Sequence, residues 1–407
     1  MTEPAIAHET GGTVPAHWAE DYDLYDPSYL ADPSGVWEQM RQQCPVAHTA
    51  RRGGGWMLSR HADIAAVALD TGTFSSRAGE VTGPIPEPGR ELELPPVTSD
   101  PPAHAADRKL LVPLFTRNAV DRFEDLTRET ATRLIDAFAD RTEVDAASEF
   151  ARDVPVVVTS RMLGLPAADE GKFHDWTVRM LKDGAEDYEV RAAAVSEIRG
   201  YFRRLIASPP VAGAPGIISY LRNRQATDPA LSDDRIVGMS FLMLIAGIDT
   251  TWSVLGSALW HLAAHPGQRE ALVADLALIP AAVEEFLRLY APVTIGRVVT
   301  REATIGGRRI CPGERVVLPW AAANHDPAVF DHASEFVLGR QRNRHLAFGV
   351  GIHRCLGAHL AQMELRVSLE EWLRRIPEFE LAQPAAVTWT GGNTRGPALL
   401  PLRIRPV

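Results

Sequence analysis

The feature that most restricts this chain is a loop near its C-terminal end, Phe348 to Gly357, which reads F-G-V-G-I-H-R-C-L-G and runs into the helix-forming stretch A-H-L-A-Q-M-E-L. Gly349, Gly351 and Gly357 surround Cys355, and glycine accepts conformations and close contacts that a Cβ would forbid. Backbone built this way can approach a bulky partner. Behind the loop, Leu360, Met363 and Val367 recur at helical spacing and predict an apolar helix face. Cys355 is therefore expected at a helix N-terminus, where unpaired N–H groups and the positive dipole end favour a thiolate. That is the setting of a metal-ligating cysteine. Two other readings fit the loop taken alone. One is a buried structural cysteine in a glycine turn; the other is a zinc site of His353, Cys355 and His359, although no second cysteine or histidine pair lies at ligand spacing.

A length of 407 residues allows one large domain or two or three average ones. Hydrophobic residues at 45% and charged residues at 23% are ordinary for a chain that buries a large core. A net charge of -10 and a pI near 5.7 argue against nucleic acid or an anionic membrane as the main partner. Cys44, Cys311 and Cys355 are widely separated and odd in number, which fits a reducing compartment rather than a disulfide framework. The N-terminus is polar, without the basic-then-apolar layout of a signal peptide. The longest apolar run, 236–248, falls short of the about 20 residues that span a bilayer, so it predicts a buried core helix.

Residues 1–17 are predicted to be a flexible tail and 18–407 a single unit, since no linker clearly divides the rest. Helix, strand and helix are expected in V-W-E-Q-M-R, G-W-M-L-S and H-A-D-I-A-A-V-A-L between residues 36 and 69. Proline and glycine exclude regular helix from 78 to 102, and a loop of that length in a compact protein is usually functional. Helical periodicity then dominates from Ala103 to about Tyr290. Only Val298 to Pro319 reads as further strand, folding back at Gly306-Gly307. The sum is a mainly α fold with a small β region.

Three constellations stand out. Glu285 and Arg288, three apart, share a helix face and can pair. Within the apolar helix, A-G-I-D-T-T breaks two local rules: Gly247 costs about 1 kcal/mol relative to alanine, and Asp249 is a carboxylate among apolar neighbours. Such violations cluster at functional sites. Asp249 and Thr250 set an acid beside an alcohol, and adjacent helix positions can act on one point together only where the helix is locally opened. His104 and Arg108, four apart after Pro102, face the same way.

In chain order, H-x-x-x-R at 104 to 108, A-G-x-D-T-T at 246 to 251, E-x-x-R at 285 to 288, a strand pair, N-H-D-P at 324 to 327 and F-x-x-G-x-H-x-C-x-G at 348 to 357 resemble the cytochrome P-450 family across essentially the whole chain from about residue 20. The resemblance implies the family's single-domain fold, with haem b buried between a long central helix and the cysteine loop. Cys355 would be the axial iron ligand, with Phe348, Gly349, His353 and Gly357 around it. A thiolate ligand pushes electron density onto the iron and favours O–O cleavage. Ala246 and Gly247 would form an oxygen-binding groove in which Gly247 leaves room for dioxygen, and Asp249 with Thr250 would deliver protons. His104, Arg108, Arg297 and His353 would partner the two haem propionates, whose burial requires charge pairing. Asp107 beside Arg108 departs from the more basic family pattern. Glu285 and Arg288 would hold the core behind the cysteine; their usual third partner is missing, because Glu335 precedes Phe336 where the family often has arginine.

The activity so implied is that of a haem-thiolate monooxygenase, inserting one atom of O2 into a hydrophobic small organic substrate by hydroxylation or oxidative demethylation. Electrons would come from NAD(P)H through a separate reductase and a ferredoxin or flavodoxin, with Arg117, Arg342, Arg344 and Arg354 as a candidate basic patch for that partner. Leu242, Ala246, Val293, Ile295 and parts of the 78–102 loop are candidate pocket residues, and Arg77 or Arg90 could bind an anionic substrate. No membrane anchor is visible, so a soluble, cytoplasmic, bacterial-type member without membrane or nucleic-acid partner is expected. A non-oxygenating or peroxide-using haem-thiolate enzyme would not need Asp249 and Thr250, and a haem-based ligand sensor would not need a pocket with turnover.

Overall fold

Aspartates followed by proline start the first helices: Asp26 caps Pro27–Ala31 and Asp32 caps Pro33–Gln43, each side chain accepting from N–H groups of the first turn. The structure, a computed structural model, describes residues 18–19, 21–181, 183–185, 187–208 and 215–405. The tail expected at 1–17 lies outside the described residues.

Strands from distant parts of the chain meet in one five-stranded sheet, in the order Val46–Thr49, Gly55–Leu58, Arg315–Pro319, Thr294–Val299, Phe74–Ser75. Gly55–Leu58 and Arg315–Pro319 run parallel; the other neighbours are antiparallel. The separate hairpin Ala303–Ile305/Arg308–Ile310 turns at Gly306 and Gly307, both at positive φ, as their sequence predicts. Val298 and Val299 belong not to that hairpin but to the larger sheet, whose strand begins at Thr294. Short strands at Glu143–Asp145, Pro401–Ile404 and Phe379–Leu381 form a three-stranded sheet that no run of alternating residues announced. Residues 76–102 contain neither helix nor strand, as expected.

The central element is the helix Asp233–Ala264, capped by Ser232 and carrying Asp233 and Asp234 in its first turn, where they complement the helix dipole. Its apolar run continues as unbroken helix well past Ile248, so by length and composition alone it could cross a membrane. Within the fold, 78% of its most apolar window is buried, as suits a core helix. Asp153–Leu163, Tyr188–Ala207 and Ala358–Arg375 pack around it. The last of these is tied to Glu124–Asp136 by ion pairs from Arg128 to Glu370 (2.8 Å) and from Arg366 to Glu124 (2.6 Å). Leu360, Met363 and Val367 are buried as their spacing requires.

Candidate active site

One cavity of about 410 Å³ lies where the central helix, the cysteine loop, the strand Thr294–Val299 and the 78–102 segment meet. Ala246 is exposed in the middle of an otherwise buried helix because it faces this space. Cys355 also opens into it. Gly349 and Gly351 adopt φ of 68° and 76°, which lets the loop fold tightly enough for the Cys355 N–H to donate to the Phe348 carbonyl at 2.7 Å. The helix begins at Ala358, with Gly357 as its N-cap. Burial pushes the Cys355 thiol up from its ordinary value, opposed by the Gly357 N–H and by Arg354 and Arg108. Among the described residues no group of three His, Cys, Asp or Glu is arranged to hold a metal, and His359 is exposed, so the zinc alternative falls away.

Behind the loop, Arg288 binds Glu285 through two bonds of 2.9 and 2.8 Å, with both side chains fully buried. The third partner is Arg340, whose Nε donates to both Glu285 oxygens at 3.0 and 3.2 Å. Glu335 contributes only its backbone carbonyl, which accepts from Arg288 at 2.7 Å. Asn324 explains the N-H-D-P stretch: its amide donates to the Arg288 carbonyl at 3.0 Å and its oxygen accepts the Leu346 N–H at 2.7 Å, just ahead of the cysteine loop.

The propionate partners expected from sequence converge at one end of the cavity. His104 and Arg108 sit on Ala103–Leu111, which starts directly after Pro102, and Arg297 on Thr294–Val299. The His104 ring packs edge-on against His353 with centroids 4.4 Å apart, and Ser76 Oγ lies 3.0 Å from His353 Nε2. Arg108 donates to the Arg354 carbonyl at 2.7 Å; Arg297 donates to the Gly296 carbonyl at 2.8 Å. Burial lowers all four: Arg297 falls to about 10 and His353 to about 3, with the neighbouring arginine charges adding to the effect on both histidines. The two imidazoles are thus neutral hydrogen-bonding groups, and the two arginines carry the charge. Asp107 does not cancel Arg108, because it turns away to accept from Ser99 (2.7 Å) and pair with Arg235.

On the central helix, Thr250 Oγ1 donates to the Ala246 carbonyl at 2.7 Å, and the helix is continuous through this point rather than opened. Asp249 is fully buried and accepts from Thr394. Gly247 lines the cavity and also meets a second need: a Cβ there would stand 2.6 Å from Thr159 Oγ1, so its missing side chain makes room for the helix Asp153–Leu163. On the same face, Thr251 Oγ1 lies 3.5 Å from Glu364 Oε2. Glu364 is buried, its carboxyl pushed up to about 8 by desolvation, and its Oε1 has no partner.

Leu242, Val293 and Ile295 line the cavity as predicted, joined by Leu92, Leu94, Met162, Met180 and Ile245. Arg77 lines it too, but is already bound to Glu91 (2.5 Å) and the Pro86 carbonyl (3.2 Å). Arg90 is exposed beside Glu87 and does not reach the cavity. Sequence reading passed over Arg340, Thr394, Thr159 and Glu364. Only Glu364 carried a signal: it falls four residues after Leu360 and three before Val367, an acid on the apolar stripe.

The residues present fit an iron porphyrin. A thiol opens on one side, buried Arg297 and His104 gather with half-buried Arg108 and His353 at one edge, and among their atoms Arg297 Nε and His104 Nε2 have no hydrogen-bond partner.

The sequence profile described as Cytochrome P450 matches residues 214–385. Cytochrome P450 130 of Mycobacterium tuberculosis is 32% identical over 399 residues, covering 95% of this chain and 98% of the relative. Among solved structures, myxobacterial cytochrome P450 CYP267B1 in complex with myristic acid superposes with a TM-score of 0.86 at 30% identity, covering 94% of this chain and 98% of the other. CYP109E1 from Bacillus megaterium in complex with testosterone gives 0.84 at 28% identity over 91% and 97%. With near-complete alignment to a curated relative and the cysteine, arginine and acid/alcohol constellations gathered around one cavity, this chain belongs to the cytochrome P450 family and is a haem-thiolate monooxygenase, using O2 with reducing equivalents from redox partners.

Proposed function

We propose that residues 18–407 act as one haem domain that binds haem b in the cavity and oxygenates a neutral, hydrophobic small molecule. The observation that carries this is the arrangement around the cavity, with Cys355 on one wall, Arg108 and Arg297 at one edge and the Ala246 to Thr251 turn on the central helix. When bound, thiolate-ligated haem iron supplies oxygen activation. Cys355 provides the ligand, and Arg108 and Arg297 neutralise the propionates while His104 and His353 donate hydrogen bonds as neutral rings. Phe348, Gly349 and Gly357 shape the loop around the sulfur. Thr250 must give up its bond to the Ala246 carbonyl to present its proton to the cavity. Asp249, held by Thr394, and Glu364, beside Thr251, are two acids on either side of that turn from which protons can be resupplied.

Aliphatic walls favour a hydrophobic substrate. The cavity-lining arginines Arg77 and Arg191 already face Glu91 and Glu80, so their charge is met and a neutral substrate is favoured over an anion. The testosterone held by CYP109E1 is a neutral hydrophobic molecule of this class, whereas the myristic acid held by CYP267B1 carries a carboxyl group. Arg117, Arg342, Arg344 and Arg354 are exposed, as are Leu69 and Ile352 on the outside of the cysteine loop, where Gly351 packs against Leu69. Such a mixed basic and apolar face suits an acidic ferredoxin or flavodoxin.

Reduction under carbon monoxide tests the ligand assignment. The wild type should give the strongly red-shifted Soret band of a thiolate complex, and Cys355→Ser should lose it. Retention of the band in the variant would remove Cys355 from the iron. Spectral shifts with neutral aliphatic or steroidal compounds, but not with their carboxylated analogues, are expected; the reverse preference would overturn the substrate class.

A further inference from the structure

The 78–102 segment is pinned at both ends. At its start, the Gly296 N–H donates to the Gly79 carbonyl (2.8 Å), and buried Arg315 donates to the Gly83 (2.8 Å) and Gly54 (3.1 Å) carbonyls. Near its finish, Glu93 and Pro95 lie against the central helix at Gly238, so closely that a Cβ there would stand 2.8 Å from each. Glu80 thus rises from a backbone fixed to the sheet, and it lines the cavity. Across from it, Arg191 lies in the first turn of Tyr188–Ala207, one residue after Val190 and three after Tyr188, a residue that is 72% exposed. Arg191 also lines the cavity and meets Glu80 at 2.5 Å, with side chains 21% and 28% exposed. This ion pair joins the fixed sheet side of the cavity to the helical roof at its solvent-facing margin.

We propose that the Glu80–Arg191 pair is a latch on the cavity mouth, which sets how fast bulky ligands pass in and out without itself holding them. This rests on the cavity being the substrate site. If the pair is closed both in the free and in the occupied protein, weakening it raises the open population in both states by the same factor. Association and dissociation rates then rise together and the dissociation constant stays put. A residue that contacted the ligand would change the constant instead. A partly exposed ion pair of this kind corresponds to an effect of about 2- to 5-fold, and salt should mimic its loss because it screens such pairs.

The test is stopped-flow binding to the haem-loaded full chain of clotrimazole, a bulky neutral azole whose nitrogen reports ligation spectrally, with carbon monoxide as a ligand small enough to pass a closed mouth. Arg191→Ala and Glu80→Gln should each raise both clotrimazole rates about 2- to 5-fold at constant affinity, leave carbon monoxide association unchanged, and abolish the acceleration by salt seen in the wild type. The exchanged pair E80R/R191E should restore wild-type rates. Altered affinity with one rate unchanged, equal effects on both ligands, or no effect would overturn the latch. Absence of any azole spectrum would instead refute the haem reading. The latch would still be decided by hydrogen exchange at residues 84–92 and 187–195, which should quicken in Arg191→Ala and whose constancy would refute it.

Discussion

At the scale of the residue, Glu364 is the side chain whose ionisation the fold changes most usefully. Desolvation raises its carboxyl from an ordinary 4.5 to about 8, with the Thr251 hydroxyl opposing only in part. A raised carboxyl means that between pH 4.5 and 8 the folded protein holds a proton that the unfolded chain has lost. The folded state then binds more protons, so stability falls as pH rises through this window, with a slope approaching about 1.4 kcal/mol per pH unit. Glu364→Gln keeps the shape and removes the titration. The melting temperature of the variant should exceed that of wild type by an amount that grows from pH 5 to pH 8; parallel melting curves across this range would show that Glu364 titrates normally. The same residue illustrates what a one-dimensional reading can catch, since an acid on an apolar helical stripe breaks a pattern. Arg340 breaks none: it is one arginine among several between 340 and 344, and only folding aims it at Glu285.

At the scale of the element, the central helix reconciles two demands at adjacent turns. Gly247 lets Asp153–Leu163 approach, while Ala246 and Thr250 present small groups to the cavity. Alanine at 247 would gain about 1 kcal/mol of helix propensity. Against that, the added Cβ would collide with Thr159, an overpacking that typically costs 1–3 kcal/mol. Gly247→Ala should therefore destabilise by about 1 kcal/mol. In a Thr159→Ala background, where the nearest remaining atom is the residue 159 Cβ at 3.5 Å, the same substitution should stabilise by a similar amount. A double-mutant cycle by thermal denaturation reads this change of sign, and additivity would show that the contact does not explain the glycine. The helix's apolar, core-forming character was legible in the sequence, as was the glycine's oddity. Which neighbour required it was not, because helix packing partners are separated by some ninety residues of chain.

At the scale of the whole molecule, the cysteine loop is held from outside itself. Glu285 receives two bonds from Arg288, two from Arg340, one from Asn343 (3.1 Å) and one from the Val337 N–H (2.9 Å). Arg288 in turn gathers the carbonyls of Asn324, Ala333 and Glu335. One buried ion pair thereby fixes the irregular stretch between the sheet and the cysteine. Removing a partner leaves a buried charge under-compensated, at a cost of about 3 kcal/mol. Arg340→Ala should lower the melting temperature and speed haem loss to apomyoglobin, and Arg340→Lys should rescue little, since an ammonium cannot reproduce the guanidinium's fork. Wild-type haem retention in Arg340→Ala would limit the network to Glu285 and Arg288.

The sequence alone determined the elements whose cause is local. Glycines flanking Cys355, an apolar helical period from Ile236 onward, proline-rich exclusion of helix from 78 to 102, and His104 and Arg108 one turn apart are consequences of covalent geometry and short-range spacing. Tertiary structure decided what depends on chain segments meeting. It brought Arg297 from the sheet beside His353, supplied Arg340 to Glu285, turned Asp107 away from Arg108, gave Gly247 to Thr159 and matched Arg77 and Arg191 with carboxylates. It also set the Cys355 thiol where desolvation pushes it up while the Gly357 N–H, Arg354 and Arg108 pull it down, a balance among segments that the loop's own spacing does not contain.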